Sequence, residues 1–215
     1  AKSLQRKIRL ASILGTWQST LTNFKYLSST WKRNCEEERL LGVSLTGIMD
    51  SSLTNGSVVG LEVLSRVLQT GREIAVNTNR EYADKIGISQ SASVTCVKPS
   101  GTVSQLVDAS SGIHARHNPY YIRTVRADRK DPLCKFMEDK GFPHEPCVMK
   151  PDHTMVFSFP IKSPDNALFR TDLSAIEQLD LWLVYQEHWC EHKPSVTITV
   201  KEHEWMDVGA WVWRN

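Results

Sequence analysis

The chain has 215 residues, 40% of them hydrophobic and 23% charged, an ordinary globular composition with room for one large domain or two small ones. A formal net charge of +2 lacks the basic excess of a nucleic-acid binder. No apolar run approaches the ~18 residues of a membrane span, so nucleic-acid and membrane roles are set aside. Five scattered cysteines (Cys35, Cys96, Cys134, Cys147, Cys190), odd in number and never in a Cys-x-x-Cys pair, argue against a disulfide framework and fit a reducing cytoplasm.

In chain order, Leu4, Ile8, Ala11, Leu14, Trp17, Leu21 and Phe24 recur at helical steps and predict an amphipathic helix, or two helices given Gly15 and the hydroxyl cluster after it. Ser28, Ser29 and Thr30 offer caps for a second helix running through Glu36-Glu37-Glu38. Residues 40–50, apolar and bounded by glycines, predict a buried strand leading into a loop. A helix is expected from about Gly60 to Leu68, extending to Gly87. Ser93–Val97 and Pro119–Arg126 predict two more strands. Residues 132–164 contain six prolines and are expected to be loop-rich, with a short strand at Met155–Phe159. Ser174-Ala175-Ile176-Glu177 has the capping-box form and opens a helix, with Ile176, Leu179, Leu183 and Val184 inward, that must stop by Pro194. Val196, Ile198 and Val200 alternate with threonines as a strand does, and Trp205, Val208, Trp211 and Val212 begin a last helical stripe. Strands alternating with helices imply an α/β sheet or barrel.

The strongest chemical signal is the strand running into Lys98-Pro99-Ser100-Gly101-Thr102, followed by Val103-Ser104-Gln105-Leu106-Val107, which can start a helix. Such a loop aims several backbone N–H groups at one place, adds hydroxyls from Ser100, Thr102 and Ser104, and lets an anion approach closely at Gly101. A plain strand-to-helix turn, with the hydroxyls acting only as caps, explains the same spacing. Neither the dinucleotide nor the P-loop fingerprint is present. His114, Arg116 and His117 either ring the same anion or form a solvated loop. Arg123 and Arg126, three apart on a strand, point to opposite faces and do not make one clamp. Cys134, His144, Cys147, His153, Cys190 and His192 lack the tight pair spacing of a zinc site. Cys35, among three glutamates, lacks the positive neighbours that activate a thiolate.

Taken together, residues 38–50, the Lys98–Ser104 loop, Ser111-Gly112-Ile113-His114, residues 120–126 and Pro194–Trp205 resemble, in order and across nearly the whole chain, the catalytic chain of ribonucleotide reductases, in particular the adenosylcobalamin-dependent class II enzymes. The resemblance implies an α/β fold, roughly the second half of a ten-stranded α/β barrel, with residues 1–215 a partial barrel domain. It implies that Ser100, Gly101, Thr102, Val103 and Ser104 bind the substrate's phosphates, with Lys98 a possible source of charge.

It further implies radical reduction of ribonucleoside di- or triphosphates, with adenosylcobalamin as cofactor of the complete enzyme and a thioredoxin-like reductant. The Asn/Cys/Glu finger loop and the C-terminal redox cysteines of the family have no counterpart here. The chain is therefore expected to begin inside a larger protein, to need the missing N-terminal part as partner, and to be inactive alone. A class I large chain, or a non-catalytic nucleotide-binding module, is the alternative.

Overall fold

The computed structural model describes residues 2–215, which divide into two compact units: the residues up to Arg116 together with Asn166–Asn215, and His117–Asp165.

The first unit is built on helices. α1 (Lys2–Gln18) lies along α3 (Gly60–Ile86), and α3 in turn contacts α6 (Ala175–His188). α3 buries Leu64, Leu68, Gly71, Ala75, Asn79 and Ala83, a stripe at steps of three and four. Glycine at position 71 lets the helices meet closely, since a Cβ there would stand 2.9 Å from Ile8 Cδ1. The apolar stripe expected of α1 is only partly inward. Ile8, Ser12 and Thr16 are the buried residues, with Thr16 Oγ1 accepting from Asn79 Nδ2 at 3.0 Å, while Leu14 and Trp17 stay exposed. A polar contact to α3 sets the rotation of the helix. α2 (Ser29–Glu38) is capped by Ser28, as its hydroxyls predicted.

The expected strands at 40–50 and 93–97 appear as a short parallel pair, β1 (Val43–Ser44) and β2 (Thr95–Cys96), with Val43 opposite Thr95 and Ser44 opposite Cys96. β1 is cut short by Gly47 at φ +68, which starts a 3-10 turn over Ile48–Asp50. At β2 the carboxylate of Glu191 accepts from the N–H groups of Val94 at 2.6 Å and Thr95 at 2.7 Å, doing the work of a neighbouring strand. Residues 196–200 do not form the expected strand. Gln178 satisfies Thr199 on both sides, its Oε1 accepting from Thr199 N and its Nε2 donating to Thr199 O. A side-chain amide thus replaces the strand ladder that alternation alone predicted.

α6 opens on the Ser174/Glu177 capping box and ends at His188. It buries Leu179, Leu181 and Tyr185, and the next residue, Trp189, is fully buried with its indole N–H on the Cys96 carbonyl at 2.7 Å. Of the four side chains expected inward, Ile176, Leu183 and Val184 are only half-buried, because the helix is apolar on most of its circumference and periodicity does not choose its face. The last helix, α7 (Trp205–Arg214), holds to α6 through Trp211, which stacks edge-on against Trp182 and donates to Asp180.

The second unit corrects the loop-rich reading of residues 132–164. It contains β3 (Tyr120–Asp128), α5 (Pro132–Asp139), β4 (His144–Pro146) and β5 (Thr154–Lys162), with an antiparallel sheet ordered β3-β5-β4. The prolines fit these elements. Pro132 begins α5, where its missing N–H is harmless, Pro146 lies on the edge strand, and Pro160 lies beyond the stretch of β5 that pairs with β4. Its small core comprises Cys134, Met155 and Phe157.

Between β2 and the second unit, the expected helix after the Lys98–Thr102 loop is a single turn, α4 (Val103–Leu106). Among the described residues no helix is long and apolar enough to cross a membrane.

Candidate functional site: the loop after the second parallel strand

β1 and β2 run parallel, so the segments leaving their carboxyl ends emerge on one edge, where ligands of α/β proteins bind. There the chain brings together Thr46 from the first segment with Ser100, Ser110 and Ser111 from the second.

Ser100 is the knot of the loop. Its N–H donates to Ser111 Oγ at 2.8 Å, its hydroxyl oxygen is 2.9 Å from Thr46 Oγ1, and its carbonyl accepts from Ser104 N at 2.9 Å and from the Ser104 hydroxyl. Ser104 is fully buried, so both of its donors are engaged inside the loop. Gly101, Thr102 and Val103 are exposed, and among the described residues no acceptor meets their N–H groups. A Cβ added at Gly101 would meet nothing within 4 Å. Thr102 makes no cap bond through its hydroxyl. Lys98 is exposed and donates its N–H to Ser44 Oγ at 3.0 Å.

Of the five residues expected to donate, three therefore present free N–H groups at the surface, while Ser100 and Ser104 hold the loop together. A helix of one turn adds little dipole, because that field is the sum of many aligned peptides. What the loop offers an acceptor is the run of unpaired N–H groups.

The loop is fastened at its far end. Arg116, 7% exposed, forms a two-pronged ion pair with Asp50, Nε to Oδ1 at 3.0 Å and Nη2 to Oδ2 at 3.1 Å, and also donates to the Asp108 carbonyl at 2.7 Å. Asp50 Oδ2 in turn accepts from Ser110 N at 2.7 Å. Asp108 sits at φ +48, a left-handed turn that ends the helical turn and points its carbonyl at the guanidinium. Gly112, at φ +52, is close to Val97 and the Lys98 carbonyl, which a Cβ would meet at 3.1 and 3.3 Å.

The three residues considered as a cationic ring do not form one. Arg116 is buried on Asp50, and His117 belongs to the second unit, where its Nδ1 meets Asn118. His114 is half-buried and lines a cavity of about 280 Å³ with Met49, Phe169, Arg170, Leu173 and Thr197, where burial holds its imidazole below the usual value. In the second unit Arg123 lies opposite Phe159 and Arg126 opposite Val156, on alternate faces of β3. Arg126 and the N–H groups of Met149 and Lys150 face Cys147, and the two N–H groups are the main reason its thiol is held below its usual value. Cys35 lies on α2 and lines an apolar groove along α1 with Leu14, Leu21 and Trp31.

Thr46, Asp50 and Ser111 were missed in the sequence. The available signal for Thr46 was its place just past the end of β1, had the parallel pairing of β1 with β2 been known. Nothing local marks Asp50 as the partner of Arg116.

No family model matches the chain. It is 33% identical over 172 residues to an adenosylcobalamin-dependent ribonucleoside-triphosphate reductase of Euglena gracilis, a match covering 79% of this chain and 23% of that protein. The enzyme of the same description from Lactobacillus gasseri is 30% identical over 194 residues, covering 78% and 26% respectively. That of Levilactobacillus brevis is 28% identical over 204 residues, covering 83% and 27%. The chain thus spans about a quarter of the length of the curated relatives it matches. Among solved structures, a B-12-dependent (class II) ribonucleotide reductase aligns with a TM-score of 0.79 and 25% identity, over 97% of this chain and 32% of that one.

Proposed function

We propose that this chain, a relative of the adenosylcobalamin-dependent (class II) ribonucleotide reductases, supplies the substrate-phosphate loop of such an enzyme, with a ribonucleoside triphosphate as its ligand. The observation that carries this reading is the row of three exposed, unpaired N–H groups on Gly101, Thr102 and Val103, held open by the Ser100 knot. Phosphate oxygens are acceptors only, and consecutive backbone N–H groups in a turn form a concave site for them. Ser100 and Ser104 complete the loop from within, and Lys98, exposed at its start, adds a positive charge. The chemistry is the reduction of the ribose 2′ carbon in the complete enzyme, in which residues 1–215 form part of a ten-stranded α/β barrel.

The radical cysteine and the reducing cysteine pair belong to the rest of that enzyme, and a thioredoxin-like reductant is its separate partner. Adenosylcobalamin, on which the relatives depend, is the cofactor of the complete enzyme; the cavity beside His114, about 280 Å³, is too small for its corrin ring. The relatives' dependence on that cofactor favours this reading over a class I large chain.

The reading is tested by titrating a ribonucleoside triphosphate and the bare nucleoside into the chain and into Gly101→Val. The added side chain has open space in the fold and brings apolar bulk to the exposed tip of the loop. Saturable binding of the triphosphate only, lost in Gly101→Val with no fall in Tm, is expected. Equal binding of the nucleoside, or an unaffected variant, would refute the assignment.

A further inference from the structure

A hydroxyl carries one proton and two accepting lone pairs. Thr46 Oγ1 meets three partners: the Ser110 carbonyl at 2.9 Å, the Gly112 N–H at 3.3 Å and Ser100 Oγ at 2.9 Å. The Ser110 carbonyl only accepts and the Gly112 N–H only donates. Thr46 therefore gives its proton to Ser110 and one lone pair to Gly112. One arrangement remains for the third contact, in which the Ser100 hydroxyl donates to the second lone pair of Thr46.

With that, every hydrogen-bonding group of Ser100 is directed inward. Its N–H goes to Ser111, its O–H to Thr46, and its carbonyl receives both donors of Ser104. The next three N–H groups are the ones turned outward.

We propose that Thr46 is a positioning residue of the anion site, fixing the direction of the Ser100 hydroxyl so that Ser100 acts as the post of the loop and gives no donor to the ligand. The inference rests on the phosphate reading above and deepens it, by separating the residues that shape the site from those that touch the ligand. Thr46 lies 54 positions from Ser100 and is itself exposed beside the loop, so its hydroxyl is not buried filler. Valine keeps the branched shape and removes the proton and both lone pairs. Serine keeps the hydroxyl and removes the methyl group.

The test is calorimetric titration of a ribonucleoside triphosphate into the 215-residue chain and into Thr46→Val, Thr46→Ser, Ser100→Ala, the Thr46→Val/Ser100→Ala pair and Gly101→Val, each checked by thermal melting. Thr46→Val is expected to weaken binding about five- to tenfold, the scale of one lost hydrogen bond, and Thr46→Ser to restore it to within about twofold. Because the two hydroxyls form one link, the double variant should bind no worse than the weaker single variant. Wild-type affinity in Thr46→Val, or effects that multiply in the double variant, would overturn the role of Thr46 while loss of binding in Gly101→Val left the phosphate reading intact. No triphosphate binding by the unsubstituted chain would overturn both. If Thr46→Val does not fold, Ser100→Ala against Thr46→Ser decides. A loss in the first with none in the second supports the link, and wild-type affinity in the first refutes it.

Discussion

The hydroxyl oxygens of Thr46 and Ser100 lie 2.9 Å apart although 54 positions separate them in the chain. That one contact ties the segment after β1 to the loop after β2, and much of the behaviour of the loop follows from how its ends are fastened.

The far fastening is Asp50 with Arg116, whose side chains are 11% and 5% exposed. Removing Asp50 takes the two-pronged acceptor from a buried guanidinium, which keeps its contacts to Asp108, an exposed side chain. Asp50→Ala is therefore expected to destabilise the first unit by about 3–5 kcal/mol, measured as a fall in the urea midpoint. A loss below about 1 kcal/mol, the scale of an exposed pair, would show that Asp108 holds the guanidinium without Asp50.

Gly112 is both left-handed, at φ +52, and pressed against Val97 Cγ1 and the Lys98 carbonyl. Gly112→Ala should cost about 1–3 kcal/mol and weaken triphosphate binding, since the crowding falls on the strand end that carries the loop. Gly101→Ala, in open space, should leave Tm within about a degree, an effect near zero on the scale of surface substitutions.

Glu191 accepts three hydrogen bonds from Val94 and Thr95 and faces Arg72 of α3 at 3.9 Å, at a site that is largely covered. Burial pushes its carboxyl up, but the N–H groups of Thr95 and Val94, the Thr95 hydroxyl and the Arg72 guanidinium outweigh that, and the net shift is downward from 4.5. A depressed carboxyl stabilises the fold fully above the unfolded value near 4.5, and loses that contribution as pH falls through its lower folded value. Glu191→Gln should thus be less stable than the parent at neutral pH, with the gap narrowing as pH drops below 4.5. A gap that stayed constant with pH would show that the charge is not what holds β2.

The helix that leads into Trp189 starts on a reciprocal cap, with Ser174 and Glu177 each accepting from the other's backbone N–H. Ser174→Ala should cost about 1 kcal/mol, read as a lower thermal midpoint of the first unit.

What could be read from the sequence was what local spacing encodes. The Ser174/Glu177 box, the glycine stop of α3 at Gly87 and the strand feeding the Lys98–Thr102 loop all depend on residues within a turn of one another. The features that decide the site are not local. Thr46 with Ser100, and Asp50 with Arg116, become neighbours only once β1 and β2 pair in parallel. The prolines of residues 132–164 suggested loops because their count was weighed without their positions, and a proline at a helix start or on a sheet edge breaks nothing. Residues 196–200 alternate as a strand does, yet Gln178 reaches Thr199 first. The loop residues were named together as donors because a motif does not show which of its hydroxyls face inward.

The most direct measurement is an amide NMR titration of the chain with a ribonucleoside triphosphate. Saturable shifts should concentrate on Gly101, Thr102 and Val103, with the Ser100 and Ser104 amides, already bonded within the loop, moving far less. Shifts centred elsewhere, or an unchanged spectrum at millimolar nucleotide, would contradict the assignment of this loop as the phosphate site.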